Sequence, residues 1–213
     1  MDKLHTPLLI LHILAGTVAL LGGGLILMLR KGGKLHRRIG RVYVLAMFVV
    51  AASALSLALI RPNAFLFWVG IFSLYQTAAG LRAVRRRNAA PQRLDYAITL
   101  LGAVGAAAML TQGQLVLGVF GGISAFLVYG DVRHYMAVLH GRPLAPTAWL
   151  RRHIGFMMGA YIGTFTAFLV TNGPSIGGLY VWLGPTVVGV PLLMYWGRKY
   201  SRKPPAALSG DPA

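Results

Sequence analysis

Seven apolar runs, most of them close to the roughly 20 residues needed to cross a bilayer core of about 30 Å, divide this chain of 213 residues. They are Leu8 to Leu29, Val42 to Ile60, Ala64 to Val84, Leu94 to Leu110, Leu115 to Gly130, Ile154 to Val170 and Ile176 to Trp196. The fourth and fifth are short and glycine-rich. No long polar stretch separates them, so the pattern leaves no room for a soluble domain. It predicts an all-α, polytopic transmembrane helix bundle of about seven helices, a single domain over residues 1–203 with a loose tail over 204–213.

The charged residues between the runs give the bundle a direction. Lys and Arg number 21 against 4 acidic residues, all aspartate, for a formal charge of +17. If the chain crosses seven times, one side collects 19 of the 21 bases. Six follow the first run, five the third, four the fifth and four the seventh; the opposite side holds only Lys3 and Arg61. Basic loops stay cytoplasmic, so the N-terminus is expected outside and the C-terminus inside, in a bacterial cytoplasmic membrane. The same bases are placed to meet anionic lipid head groups. A nucleic-acid binder spreads its bases over a solvated face instead, and none is expected here. Before the first run Asp2 and Lys3 cancel, and the basic cluster follows it, which reads as an anchor rather than a cleaved signal.

Composition also removes chemistry. Cysteine and glutamate are absent, so there is no disulfide, thiolate ligand, cysteine nucleophile or glutamate base. Asp2 and Asp211 are terminal, and Asp95 and Asp131 are expected at the inner ends of the fourth and fifth helices, beside arginines with which they would pair. At such a wet boundary a pair contributes only a fraction of a kcal/mol. No enzymatic activity is indicated, which leaves histidine as the main candidate for chemistry.

His12 lies four residues into the first run, about 6 Å deep at about 1.5 Å per residue. Gly16 follows one turn later. Such a pair leaves room beside the imidazole for a flat macrocycle, or equally for a helix, with His12 then bonded to a backbone carbonyl. His36, His134, His140 and His153 collect at the inner boundary, and neutral imidazole is a good ligand for metal ions and haem iron. One expectation is therefore a b-type haem on His36 and His153, with His134 and His12 as further candidates. A metal ion on His36, His134 and Asp131 is the other form of this reading. No dense zinc-ligand spacing accompanies them.

Glycines and prolines suggest a different role. Gly155, Gly159 and Gly163 recur every four residues in the sixth run and Gly118 and Gly122 in the fifth, a spacing that lets helices approach closely. We read both as packing within the chain, ahead of a homodimer or another membrane partner. Gly22, Gly23 and Gly24 interrupt the first run. Pro185 and Pro191 fall mid-span in the seventh, and interrupted helices often line a transporter's substrate site. With Gln76 in the third run they form a candidate binding region for a small solute or lipid. Tyr75, Thr77, Tyr161, Thr164 and Thr166 are placed to hydrogen-bond between helices. A retinal-type protein is excluded because no lysine lies within the seventh run, and a seven-helix zinc hydrolase because that run has no histidine.

The segment His12-Ile-Leu-Ala-Gly16, followed by Lys31-Gly-Gly-Lys-Leu-His36-Arg-Arg-Ile-Gly40-Arg-Val-Tyr43, resembles the opening of a bacterial family of predicted membrane proteins of unknown function, numbered 2306. Arg93-Leu-Asp95-Tyr, Trp149-Leu-Arg-Arg-His153 and Gly159-Ala-Tyr161-Ile-Gly-Thr-Phe-Thr166 are similar to members as well. The resemblance is clearest over the first 50 residues. It implies a polytopic membrane protein and carries no activity, cofactor or ligand with it.

Overall fold

A computed structural model describes residues 2–172 and 178–201. Among them the chain is all helical: α1 (Asp2–Met28), α2 (Lys34–Ile60), α3 (Ala64–Arg86), α4 (Arg93–Thr111), α5 (Leu115–Leu139), α6 (Ala148–Asn172) and α7 (Gly178–Ser201). All seven are long and apolar enough to cross a membrane. The expected start of the seventh run at Ile176 and the tail over 204–213 lie outside the described residues.

Helices outrun the apolar stretches because the backbone keeps bonding where the side chains turn polar. Helix α2 begins at Lys34, so His36 stands in its first turn rather than before it. The largest difference is α5, which continues nine residues past Gly130 to Leu139. Asp131 is thus about 12 Å from the helix end at about 1.5 Å per residue, not at the boundary, and His134 follows it one turn on. The triple glycine does not break α1; the helix runs through it. Helix α7 likewise stays helical across Pro185 and Pro191.

Short connections make successive helices antiparallel, so the loops 29–33, 87–92 and 140–147 share one end, called here the basic end. Helix α3 is the hub, packed against α2, α4 and α6, while α1 lies on α2 and α7 on α6. Apolar clusters fill the joints. Ala19, Tyr43, Ala46, Met47 and Ala160 join α1, α2 and α6; Phe72, Met109, Leu117 and Phe120 join α3, α4 and α5; and Tyr75, Ala79 and Phe156 join α3 and α6. The outward surface is apolar, with Leu21, Leu45, Leu59, Leu100, Phe126 and Val187 exposed, as a lipid-facing surface requires.

Glycine decides how closely these helices meet. The Tyr161 ring occupies the place of a β-carbon at Gly23 and its hydroxyl donates to the Leu20 carbonyl at 3.3 Å. In α6, Gly159 receives Gln76 and a β-carbon at Gly163 would stand 3.5 Å from Phe72, so that stripe packs within the chain. Gly118 and Gly122 do not: nothing approaches within 4 Å of where their β-carbons would be. The glycine of α5 that packs is Gly121, where a β-carbon would stand 3.0 Å from the Ala106 carbonyl oxygen.

Candidate functional site

Tyr75, Gln76 and Thr77 sit midway along α3 and are completely buried. From Tyr75 toward the basic end runs a connected set of polar groups. The Asp131 carboxylate, with no exposure of its side chain, accepts from the Tyr75 hydroxyl and the Thr99 hydroxyl, each at 3.3 Å, through one oxygen. Its other oxygen takes Arg152 Nε at 3.0 Å and an Arg152 Nη. Tyr135 completes the set, its hydroxyl 3.3 Å from both Thr99 and Arg152. Four helices, α3 to α6, thus converge on one carboxylate.

This pair differs from a wet surface ion pair. Two charges removed from water need every lone pair and proton satisfied to offset desolvation, and Asp131 receives donors on both oxygens. A second pair lies nearer the end, where Arg82 grips Asp95 with Nε at 2.7 Å and Nη at 2.9 Å. Asp95 also accepts from the Gln92 amide at 2.7 Å in a capping box at the start of α4. Arginine pairing of both aspartates agrees with the sequence; the depth of Asp131 does not. Asn88 ties the 140–147 loop down, donating to the Ala145 carbonyl at 3.2 Å and accepting from the Trp149 amide at 3.1 Å.

Beside this satisfied network are groups with nothing to bond. Both polar atoms of the Gln76 carboxamide are buried without a partner, as are the hydroxyls of Thr77, Ser124 and Thr166. Gln76 presses on Gly159 of α6. A buried amide or hydroxyl left unpaired costs about 1–3 kcal/mol, and in hydrocarbon no lipid can supply the missing bond.

The histidines are distributed over three places. His12 Nδ1 lies 3.2 Å from the Val50 carbonyl and 3.0 Å from Ser53 Oγ, which itself donates to the Val49 carbonyl at 2.6 Å. His12 is therefore bonded to a backbone carbonyl, while Gly16 has open space beside it. His134 is buried in α5, with its Nε2 lacking a partner and its ring set edge-on to Tyr135 at 6.2 Å. Arg87 caps α3 at a φ of 51°, with its guanidinium over the Trp149 ring at 5.4 Å. His36 stands in the first turn of α2 and His153 in the second turn of α6, both toward the basic end; the His153 Nδ1 bonds the Gly80 carbonyl at 3.1 Å, and the His36 Nδ1 is buried without a partner. Among the described residues no group of three or more His, Cys, Asp or Glu is placed to hold a metal ion. Pro191 lies in a surface groove with Met194, Tyr195, Arg198 and Lys199, and Gly189 packs on Ile162; Gln76 meets α6 at Gly159 instead.

A family model described as a predicted membrane protein (DUF2306) matches residues 9–145. The chain belongs to this family. The match takes in α1 to α5 and the loop after them, so the DUF2306 segment supplies Gln76, Asp95, Asp131 and His36, while Arg152, His153 and Gly159 come from beyond it. No curated protein and no solved structure matches the chain.

Sequence reasoning singled out Gln76 and Asp131 but not the arrangement around them. Thr99, Tyr135 and Arg152 carried no signal of their own, since a threonine, a tyrosine and an interfacial arginine are ordinary in membrane helices. The usable clue was the continuation of α5, with Asp131, His134 and Tyr135 spaced to share one side of a helix.

Proposed function

We propose that this DUF2306 member is a permease for small neutral polar solutes, with Gln76 at the midpoint of the path. The observation that carries the reading is the fully buried Gln76 carboxamide, unbonded at both its oxygen and its nitrogen halfway along a membrane-spanning helix. Water or a polar solute removes that penalty; packed hydrocarbon does not. Thr77, Ser124 and Thr166 supply further unbonded hydroxyls on α3, α5 and α6. All four groups are uncharged, and Asp131 is neutralised by Arg152, which favours a solute that both donates and accepts hydrogen bonds over an ion.

The test is stopped-flow light scattering of proteoliposomes under a glycerol or a urea gradient. Wild-type protein is expected to speed swelling over protein-free vesicles. Gln76→Leu should return the rate to that of empty vesicles, and Gln76→Asn should keep part of it. Equal rates for wild-type and protein-free vesicles with both solutes would overturn the reading.

The basic end is proposed to face the cytoplasm of a bacterium and the anionic head groups of its inner leaflet. What supports this is the distribution of bases, 19 against 2 in the sequence, together with the rule that basic loops are retained inside. Alkaline phosphatase inserted after Arg61 should be active and a fluorescent protein fused at the C-terminus should fluoresce; the reverse pattern would invert the orientation.

A further inference from the structure

We infer that the outward side of α7, at the basic end, seats one anionic phospholipid, with its phosphate on Arg198 and Lys199 and an acyl chain along Met194 and Pro191. This goes beyond the general attraction of that end for anionic head groups, because it assigns one lipid molecule to one groove. It holds whichever side of the membrane the basic end faces.

Helix α7 has one covered side and one bare side. It packs on α6, where Gly189 meets Ile162. Pro191, Met194, Tyr195 and Arg198 follow the i, i+3, i+4, i+7 spacing of one helix side, and at about 100° per residue that side is turned away from Gly189. With Lys199 they line a groove of about 480 Å³, in which Met194 and Tyr195 are exposed. Along the groove the chemistry changes from apolar to aromatic to cationic. Arg198 stands seven residues beyond Pro191, about 10 Å at about 1.5 Å per residue. The head-group layer of one leaflet is roughly 5–8 Å deep, so with Arg198 among the phosphates Pro191 lies among the acyl chains.

The cationic end of the groove is arranged to receive a phosphate. Lys199 Nζ donates to the Tyr195 hydroxyl at 3.2 Å and stands 5.3 Å from the centre of its ring, which holds the ammonium in place. An ammonium only donates, so the Tyr195 oxygen accepts this bond and its own O–H is left for a phosphate oxygen. Arg198 has no carboxylate partner among the described residues, where the ion pairs are Arg82 with Asp95 and Arg152 with Asp131. Its guanidinium fork matches two phosphate oxygens. Trp196, next after Tyr195, carries the Lys31 ammonium over its ring at 4.7 Å, a third positive charge at this level. A zwitterionic lipid would bring its own ammonium against these cations; an anionic one brings only the phosphate.

The experiment uses the full chain in mild detergent, titrated with phosphatidylglycerol or with phosphatidylcholine of the same acyl chains. Native mass spectrometry counts the lipids retained, and thermal unfolding follows the strength of binding. Phosphatidylglycerol is expected to be retained at about one molecule per chain and to raise the unfolding temperature under conditions that wash phosphatidylcholine away. Arg198→Gln with Lys199→Gln should weaken its binding by roughly tenfold. Arg37→Gln with Arg38→Gln removes the same charge near the start of α2 and should leave binding unchanged. Met194→Trp alters no charge and should lower retention by filling the groove. Equal retention of the two lipids by wild type would overturn the inference, as would equal losses in the two glutamine double variants. An unfolding shift with inorganic phosphate as large as that with phosphatidylglycerol would overturn the lipid and leave a phosphate ion in its place.

Discussion

The side-chain carboxamide of Gln76 lies against Gly159 in the space that a β-carbon at position 159 would fill. A glycine of α6 is thus matched to a carboxamide of α3, and the two helices approach closely at this level because of that match.

Gly159→Ala should therefore destabilise the protein by about 1–3 kcal/mol, the usual cost of overpacking a tight joint. This would exceed the roughly 0.5–1 kcal/mol that alanine gains over glycine inside a helix. Gln76→Ala should recover most of the loss when combined with it. Thermal unfolding of the two single variants and the double in detergent measures the coupling; additive effects would mean that the two residues do not touch.

Breaking the Asp131–Arg152 pair should cost more. Asp131→Leu strands a partly buried guanidinium and two hydroxyls, and removing one partner of a buried pair typically costs about 3–5 kcal/mol. The Asp131→Leu, Arg152→Leu double variant is expected to be less damaged than either single variant. A double variant worse than both would show that the network contributes net stability beyond the pair.

The glycines should divide into two classes. Gly23→Ala meets the Tyr161 ring, and we expect a loss of about 1–3 kcal/mol, relieved by Tyr161→Ala. Gly118→Ala and Gly122→Ala enter open space and should stabilise the protein by the roughly 0.5–1 kcal/mol that alanine gains over glycine inside a helix. Denaturation midpoints of the four variants check the division.

Lys31 sets a pH dependence outside the spans. Burial holds its ammonium below the ordinary lysine value of 10.5, although Nζ donates to the Ile26 and Leu27 carbonyls at 2.8 and 2.7 Å. The folded state therefore releases this proton before the unfolded state does. Its contribution is largest above 10.5 and is lost as the pH falls through the lower folded value. Lys31→Arg, charged throughout, should abolish that rise, so the stability of wild type relative to the variant should increase from pH 8 to pH 10.5. A constant difference over this range would refute the assignment.

Much of the architecture was legible because hydrocarbon imposes one dominant pattern. Runs such as Val42 to Ile60 and Ala64 to Val84 have counterparts in α2 and α3, and their boundaries at Ile60 and Ala64, away from the basic end, are met to the residue. The basic boundaries were not. Hydropathy stops at Gly130, but the backbone of α5 continues because Asp131 and Tyr135 find partners inside the bundle rather than water, and His134 is buried beside them.

The site was legible only in part, for a related reason. Spacing along one helix says which residues share a face, but not which helix covers it. Gly155, Gly159 and Gly163 and the pair Gly118 and Gly122 look alike in sequence; contact with α3 makes one stripe a packing surface, while the other pair meets nothing. Gln76 stood out as a polar residue in an apolar run. Its lack of any partner could be seen only with the neighbouring helices in place.

Lys31 also rests over the Trp196 ring at 4.7 Å, joining the first connection of the chain to its last helix. Such a contact cannot form until α7 has been synthesised and inserted. During biogenesis the first hairpin must wait, with its lysine unstacked, for the final span to arrive. A chain shortened before Trp196 would leave that lysine without its aromatic partner.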